Sequence, residues 1–161
     1  MKEGSLVAFT LLLQAAVGAC WAALALQLGA TRAGETEPVA VGAPVLLAAL
    51  LSALAGLAAS FLHLGRPANA WRALRNLRAS WLSKEILFAS AFTAALGASA
   101  LLPLFGLGGS FGAGFAEGLA AVFGLALVYA MTMAYRLRTI PAWDRGTTNA
   151  AFLASTLGLG A

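Results

Sequence analysis

Long apolar runs alternate with short polar segments along the whole chain. Uncharged tracts extend over 4–31, 38–65, 86–116 and 118–135, and each falls near or above the roughly 17–25 residues that a helix needs to cross a bilayer hydrocarbon core. The pattern predicts helices over 5–29, 39–63, 83–106 and 116–139. A fifth apolar tract, 149–161, follows the polar turn PAWDRGTTN and stops after too few residues to span. The chain is therefore expected to be the N-terminal portion of a larger subunit. The predicted fold class is all-α: a polytopic transmembrane helix bundle forming a single transmembrane domain over 1–161, with four full spans plus the start of a fifth.

Composition agrees with this pattern. Hydrophobic residues make up 61% of the 161 and charged residues 10%, against the roughly 25% charged residues of soluble domains. The lipid bilayer is thus the first partner, and the basic balance of the chain is no argument for nucleic acid. The tract around VGAC, at Val17–Cys20, loosely resembles a lipoprotein cleavage box. Lys2 is cancelled by Glu3, however, and WAALALQL continues apolar beyond Cys20, so the tract reads as a retained helix. Cys20 has no second cysteine to pair with and reads as packing, as do Met131 and Met133 inside the fourth helix.

Charge placement sets the topology. With the sides numbered by alternation, one side receives Lys2, Arg66, Arg72, Arg75, Arg78, Lys84, Arg136, Arg138 and Arg145, and the other receives Arg32 alone. The positive-inside rule puts the basic side in the cytoplasm. On the opposite side, GLGGSFGAGFAEG reads as a flexible glycine-rich connection.

Polar residues inside the spans fall on stripes. Ser52, Gly56 and Ser60 recur every four residues on the second helix, the small-residue spacing that lets backbones approach in lipid. His63, the chain's one histidine, continues that arc to the membrane boundary. Gln14, Gly18 and Ala22 draw a similar stripe on the first helix, offered as its packing partner. After His63, Gly65 and Pro67 break the span. Then Trp71, Leu74, Leu77 and Trp81 recur at helical spacing, which suggests a short interfacial helix. Glu85 opens the third helix, with Ser83 available as its cap. Two functions fit Glu85: a first-turn carboxylate favoured by the helix dipole, or a titratable group level with His63 at the boundary. Likewise His63 either binds and moves protons or ties neighbouring helices together. A bis-histidine haem needs two axial histidines, and this chain supplies one, so it does not hold such a haem by itself.

The stretch FLHLGRPANAWRALRNLRASWLSKEI, with FTLLLQAAVGA in the first helix and AYRLRTIPAWDRGTTNAAFL after the fourth, resembles the membrane-anchor subunit of dimethyl sulfoxide reductase. The resemblance implies a multi-pass protein of the bacterial cytoplasmic (inner) membrane that serves anaerobic respiration and holds no haem or iron–sulfur cluster itself. It implies menaquinol as the bound substrate, and electron transfer to a four-cluster ferredoxin-like iron–sulfur subunit that feeds a molybdopterin catalytic subunit. On that resemblance the quinol-binding residues correspond to His63, Gly65, Trp71 and Glu85, of which His63 and Glu85 carry the catalytic chemistry. A basic residue that some relatives carry four positions after the glycine is Asn69 here, with Arg66 and Arg72 nearby.

Quinol oxidation releases two electrons and two protons, so it needs hydrogen-bond acceptors at the ring hydroxyls and a proton exit. Neutral histidine suits the first task, its ordinary pKa being about 6.5. Glu85 would relay the proton or orient the imidazole, and Trp71 would stack on the ring or anchor at the interface. The alternative is a non-redox membrane component, a transporter half or structural scaffold, in which His63 is structural. A transporter is expected to place a charge near mid-membrane, whereas the charges here read as lying at the helix ends.

Overall fold

The computed structural model describes residues 2–34, 42–63, 75–107, 109–135 and 146–160. They form five helices: α1 (Lys2–Arg32), α2 (Gly42–His63), α3 (Trp81–Leu101), α4 (Gly109–Tyr135) and α5 (Gly146–Gly160). Among the described residues there is no strand. Four segments are long and apolar enough to cross a membrane: Gly4–Arg32, Gly42–Ser60, Trp81–Phe105 and Phe111–Tyr135. The protein is a multi-pass membrane protein, as the apolar tracts predict.

The bundle closes as two antiparallel pairs, α1 with α2 and α3 with α4, joined through α2–α3 and α1–α4 contacts, while α5 lies mainly against α1. Leu13, Val17, Cys20, Phe92, Leu96, Leu127 and Met131 are fully buried at its centre. Nine of the twenty buried hydrophobic residues among those described are alanines, so helix backbones approach closely. That is how bundles pack where lipid is as apolar as the core. The outer faces carry Val7, Leu11, Leu51, Leu54, Val122 and Leu125, all exposed, as surfaces in contact with acyl chains should.

Interhelical polar contacts fall where the small-residue stripes predict close approach, but one partner differs. Ser52 donates to the carbonyl of Leu12 at 2.9 Å, and a Cβ on Gly56 would stand 3.3 Å from that of Leu12, so the α2 stripe is an interface with α1. The Gln14–Gly18 stripe of α1 faces α5 instead of α2. Gln14 Oε1 accepts from Ser155 at 3.0 Å, and Gly18 meets Gly160 and the carbonyl of Thr156, backbone against backbone. Any side chain at Gly18 would have to displace main chain.

Three expected boundaries are corrected. First, α3 begins at Trp81, capped by extended Ser80, whose hydroxyl accepts from the Ser83 amide at 3.3 Å. Ser83 is therefore inside the helix, and Glu85 lies in its second turn, beyond the reach of a dipole effect that fades after the first. Trp81 consequently belongs to α3 and not to a separate interfacial helix; Leu77 lies in a turn, and Trp71 and Leu74 fall outside the described residues. Second, most of the glycine-rich connection is helical. After a 3-10 turn over Leu102–Phe105, Gly106 adopts a left-handed φ of 68°, and α4 starts at Gly109. Glycine's preference for loops is conformational and costs only about 1 kcal/mol per residue in a helix, whereas a backbone entering hydrocarbon must satisfy its own hydrogen bonds, so the helix wins. Third, α5 begins at Gly146, three residues earlier than expected.

Candidate functional site

The end of the bundle that gathers the basic segments also gathers the candidate site. His63 is the last residue of α2, and Glu85 lies five residues into α3. Their levels follow from the antiparallel register of the two helices. Gly97 of α3 meets Leu50 of α2, with 3.7 Å between a Cβ built on the glycine and Leu50 Cδ1. Thirteen residues on from Leu50 is His63, and thirteen back from Gly97 is Lys84, Glu85's neighbour. The antiparallel order thus puts the end of α2, with His63, and the start of α3, with Glu85, at the same end of the bundle. Gly65, Trp71, Asn69, Arg66 and Arg72 lie outside the described residues.

Around Glu85 the chain separates a buried acid from an exposed boundary. Glu85 is 2% exposed and Ser83 3%, so the carboxyl faces into the bundle. Lys84, the next position round the helix, turns outward and sets its ammonium 3.8 Å from the centre of the Trp81 ring. Trp81 in turn meets Tyr129 of α4 edge to face, 5.7 Å between centroids at 81°. A carboxyl withdrawn one helical turn behind an aromatic pair can accept hydrogen bonds or protons from a ligand that enters at the boundary. Among the described residues, no three His, Cys, Asp or Glu side chains cluster as a metal site.

A second buried carboxyl reads in the sequence as a mere break between two apolar tracts. Glu117 sits eight residues inside α4 and is 2% exposed. The Gln27 side chain of α1 hydrogen-bonds to it, while its Oε1 is buried without a hydrogen-bond partner. Gly42, at the start of α2, leaves room for Gln27, since a Cβ there would stand 3.2 Å from Nε2. The expectation that charges sit only at helix ends is therefore corrected. The available signal was a single carboxylate within an otherwise uncharged stretch from Ile86 to Tyr135, which in a membrane marks a functional residue by default.

Glu117 and Gln27 should respond unequally to truncation. Gln27→Leu strips a buried carboxyl of its donor and is expected to cost about 1–3 kcal/mol. Glu117→Leu removes the orphaned oxygen together with the rest of the carboxyl, so its cost should be smaller. Thermal midpoints of the two detergent-solubilised variants test the order, and equal losses would mean that Oε1 is satisfied.

Comparison with known proteins adds three findings. The family described as DMSO reductase anchor subunit (DmsC) matches the chain over residues 1–161. A sulfite dehydrogenase subunit of Allochromatium vinosum is 61% identical over 41 residues, covering 26% of this chain and 13% of that relative. No solved structure matches.

Proposed function

Because the chain belongs to the DMSO reductase anchor subunit family, we propose that it is the membrane anchor of a molybdoenzyme complex, where it oxidises menaquinol and passes the electrons to an iron–sulfur subunit. The observation that carries this reading is the burial of Glu85 at the end of the bundle where α2 ends with His63. In this reading the bacterial cytoplasmic membrane delivers the quinol laterally. Each ring hydroxyl gives up a proton and the ring two electrons, becoming the quinone. His63 accepts one proton at its imidazole and Glu85 relays it toward water at the boundary, after which the second proton leaves by the same two groups. The electrons leave to clusters held by the iron–sulfur subunit, which supplies a molybdopterin catalytic subunit. Arg75 and Arg78, exposed just before α3, suit an acidic surface on that partner.

Glu117 favours a second reading. A carboxyl buried inside a span is what a transporter half would carry, and in that non-redox role His63 would only tie helices. The two readings part in membranes that contain the whole complex. On the anchor reading, menadiol reduces the partner's clusters, followed by electron paramagnetic resonance, and membranes lacking this chain lose that reduction. Equal cluster reduction with and without the chain would exclude it as the quinol oxidase.

A further inference from the structure

A recess opens between the end of α4 and the first turns of α5, at the end of the bundle that holds His63 and Glu85. Its volume is about 390 Å³, and its walls are Tyr135, Thr147, Thr148, Ala151 and Phe152. The four α5 residues lie on one helical face, spaced one and four residues apart. The Tyr135 and Phe152 rings stand 5.4 Å apart at a tilt of 42°. Tyr135 is held from behind, because its hydroxyl shares a hydrogen bond of 3.1 Å with Thr10 Oγ1 on α1. The recess therefore has an aromatic wall in a fixed position, hydroxyl groups beside it, and a small residue, Ala151, where a bulkier one would fill it. It is open on its outer side, where Ala151 and Thr147 are exposed.

We propose that this recess is a second binding position for a quinol ring, on other helices than His63 and Glu85, at which quinol docks from the bilayer. The proposal rests on the quinol reading above and names a separate site for the same ligand. A flat ring with oxygen atoms at its edge and an apolar tail matches the wall chemistry point for point. The ring lies against Tyr135 and Phe152, an edge oxygen meets the Thr147 hydroxyl, and the tail leaves toward lipid. A phospholipid acyl chain would use the apolar walls and make no use of the Thr147 hydroxyl. The site is also distinct by placement. α5 packs on α1 and α4, whereas His63 is on α2, which borders α1 and α3.

The test is photolabelling of the whole complex with an azido-naphthoquinone, followed by peptide mapping. Label is expected on the 146–160 segment, with competition by menadione and none by added phospholipid. Ala151→Phe places a ring in the recess and should lower that label by about tenfold or more, as burial of one apolar ring is worth at least that much affinity. Thr147→Val keeps the shape, removes a hydroxyl and should lower the label severalfold. His63→Phe should leave it in place. Label confined to α2 and α3 would overturn the recess while keeping the quinol reading. No competed label on any segment, together with loss of menadiol-driven cluster reduction, would overturn both. Displacement by phospholipid as strongly as by menadione would make the recess a lipid site.

Discussion

His63→Phe is expected to lower quinol-dependent turnover of the complex by about 10²–10⁴-fold, the usual range for a proton acceptor removed from a reacting group. Insertion and partner assembly should persist, because phenylalanine keeps an apolar ring at the end of α2. Glu85→Gln should also depress turnover, for a different reason. The amide keeps the volume and a hydrogen-bonding group within the bundle but cannot pass a proton on. A purely structural role for Glu85 has lost its simplest support. The carboxyl is in the second turn of α3 and Ser80 already caps the helix, so the dipole explanation, worth about 0.3–1 kcal/mol in a first turn, no longer applies. Electron delivery to the catalytic subunit from a soluble artificial donor bypasses the anchor and should be unchanged in both variants. If His63→Phe left menadiol oxidation at the parent rate, the histidine would be a helix tie and the quinol chemistry would lie elsewhere.

The spans were legible because membrane crossing is a one-dimensional constraint: length and lack of charge suffice, and no knowledge of neighbours is needed. The beginning of α4 was not, since the glycines of GLGGSFGAGF carry a conformational preference for loops into a segment that leads into a span, where the helix is the better answer. Stripes were legible as interfaces but not as pairs. Gln14 and Gly18 announce a close-packed face, yet nothing in α1 says whether α2 or α5 will meet it, and the choice is made by the partners' own small residues, Ser155 and Gly160 against Ser52 and Gly56.

The candidate site divides in the same way. That Glu85 and His63 lie at one end of the bundle follows from one helix ending where the next begins. That Glu85 is buried, and Lys84 beside it is not, requires the packed bundle. Glu117 escaped because a single charge between two apolar tracts is also what a loop looks like, and only the continuous helix from Gly109 shows it to be inside a span. The recess by Tyr135 escaped for a topological reason: its walls come from the end of one helix and the start of another, and neither Tyr135 nor Phe152 has a neighbour in sequence that marks it.

The contact between α1 and α5 offers the sharpest structural test, because it depends on an absent side chain. Gly18→Leu puts a branched side chain where Gly160 and the Thr156 carbonyl now touch the α1 backbone. Overpacking of a yielding core typically costs about 1–3 kcal/mol, and here the obstructing atoms are main chain, so α5 must move away as a body. The separation can be read directly. In a Cys20→Ala background, cysteines replacing Gln14 and Ser155, whose side chains meet at 3.0 Å, should be joined by a short thiol cross-linker. Gly18→Leu should reduce that cross-link about tenfold or more, the change expected when a contact worth at least about 1.4 kcal/mol is lost. Gly118→Leu is the matched control, since a Cβ at that α4 position meets nothing within 4 Å, and it should leave the cross-link intact. Because Tyr135 and Phe152 come together only while α5 stays seated, Gly18→Leu should also abolish naphthoquinone labelling of α5. A variant that cross-links like the parent would mean that α5 does not cross α1 at Gly18, and the recess beside Tyr135 would lose its wall with it.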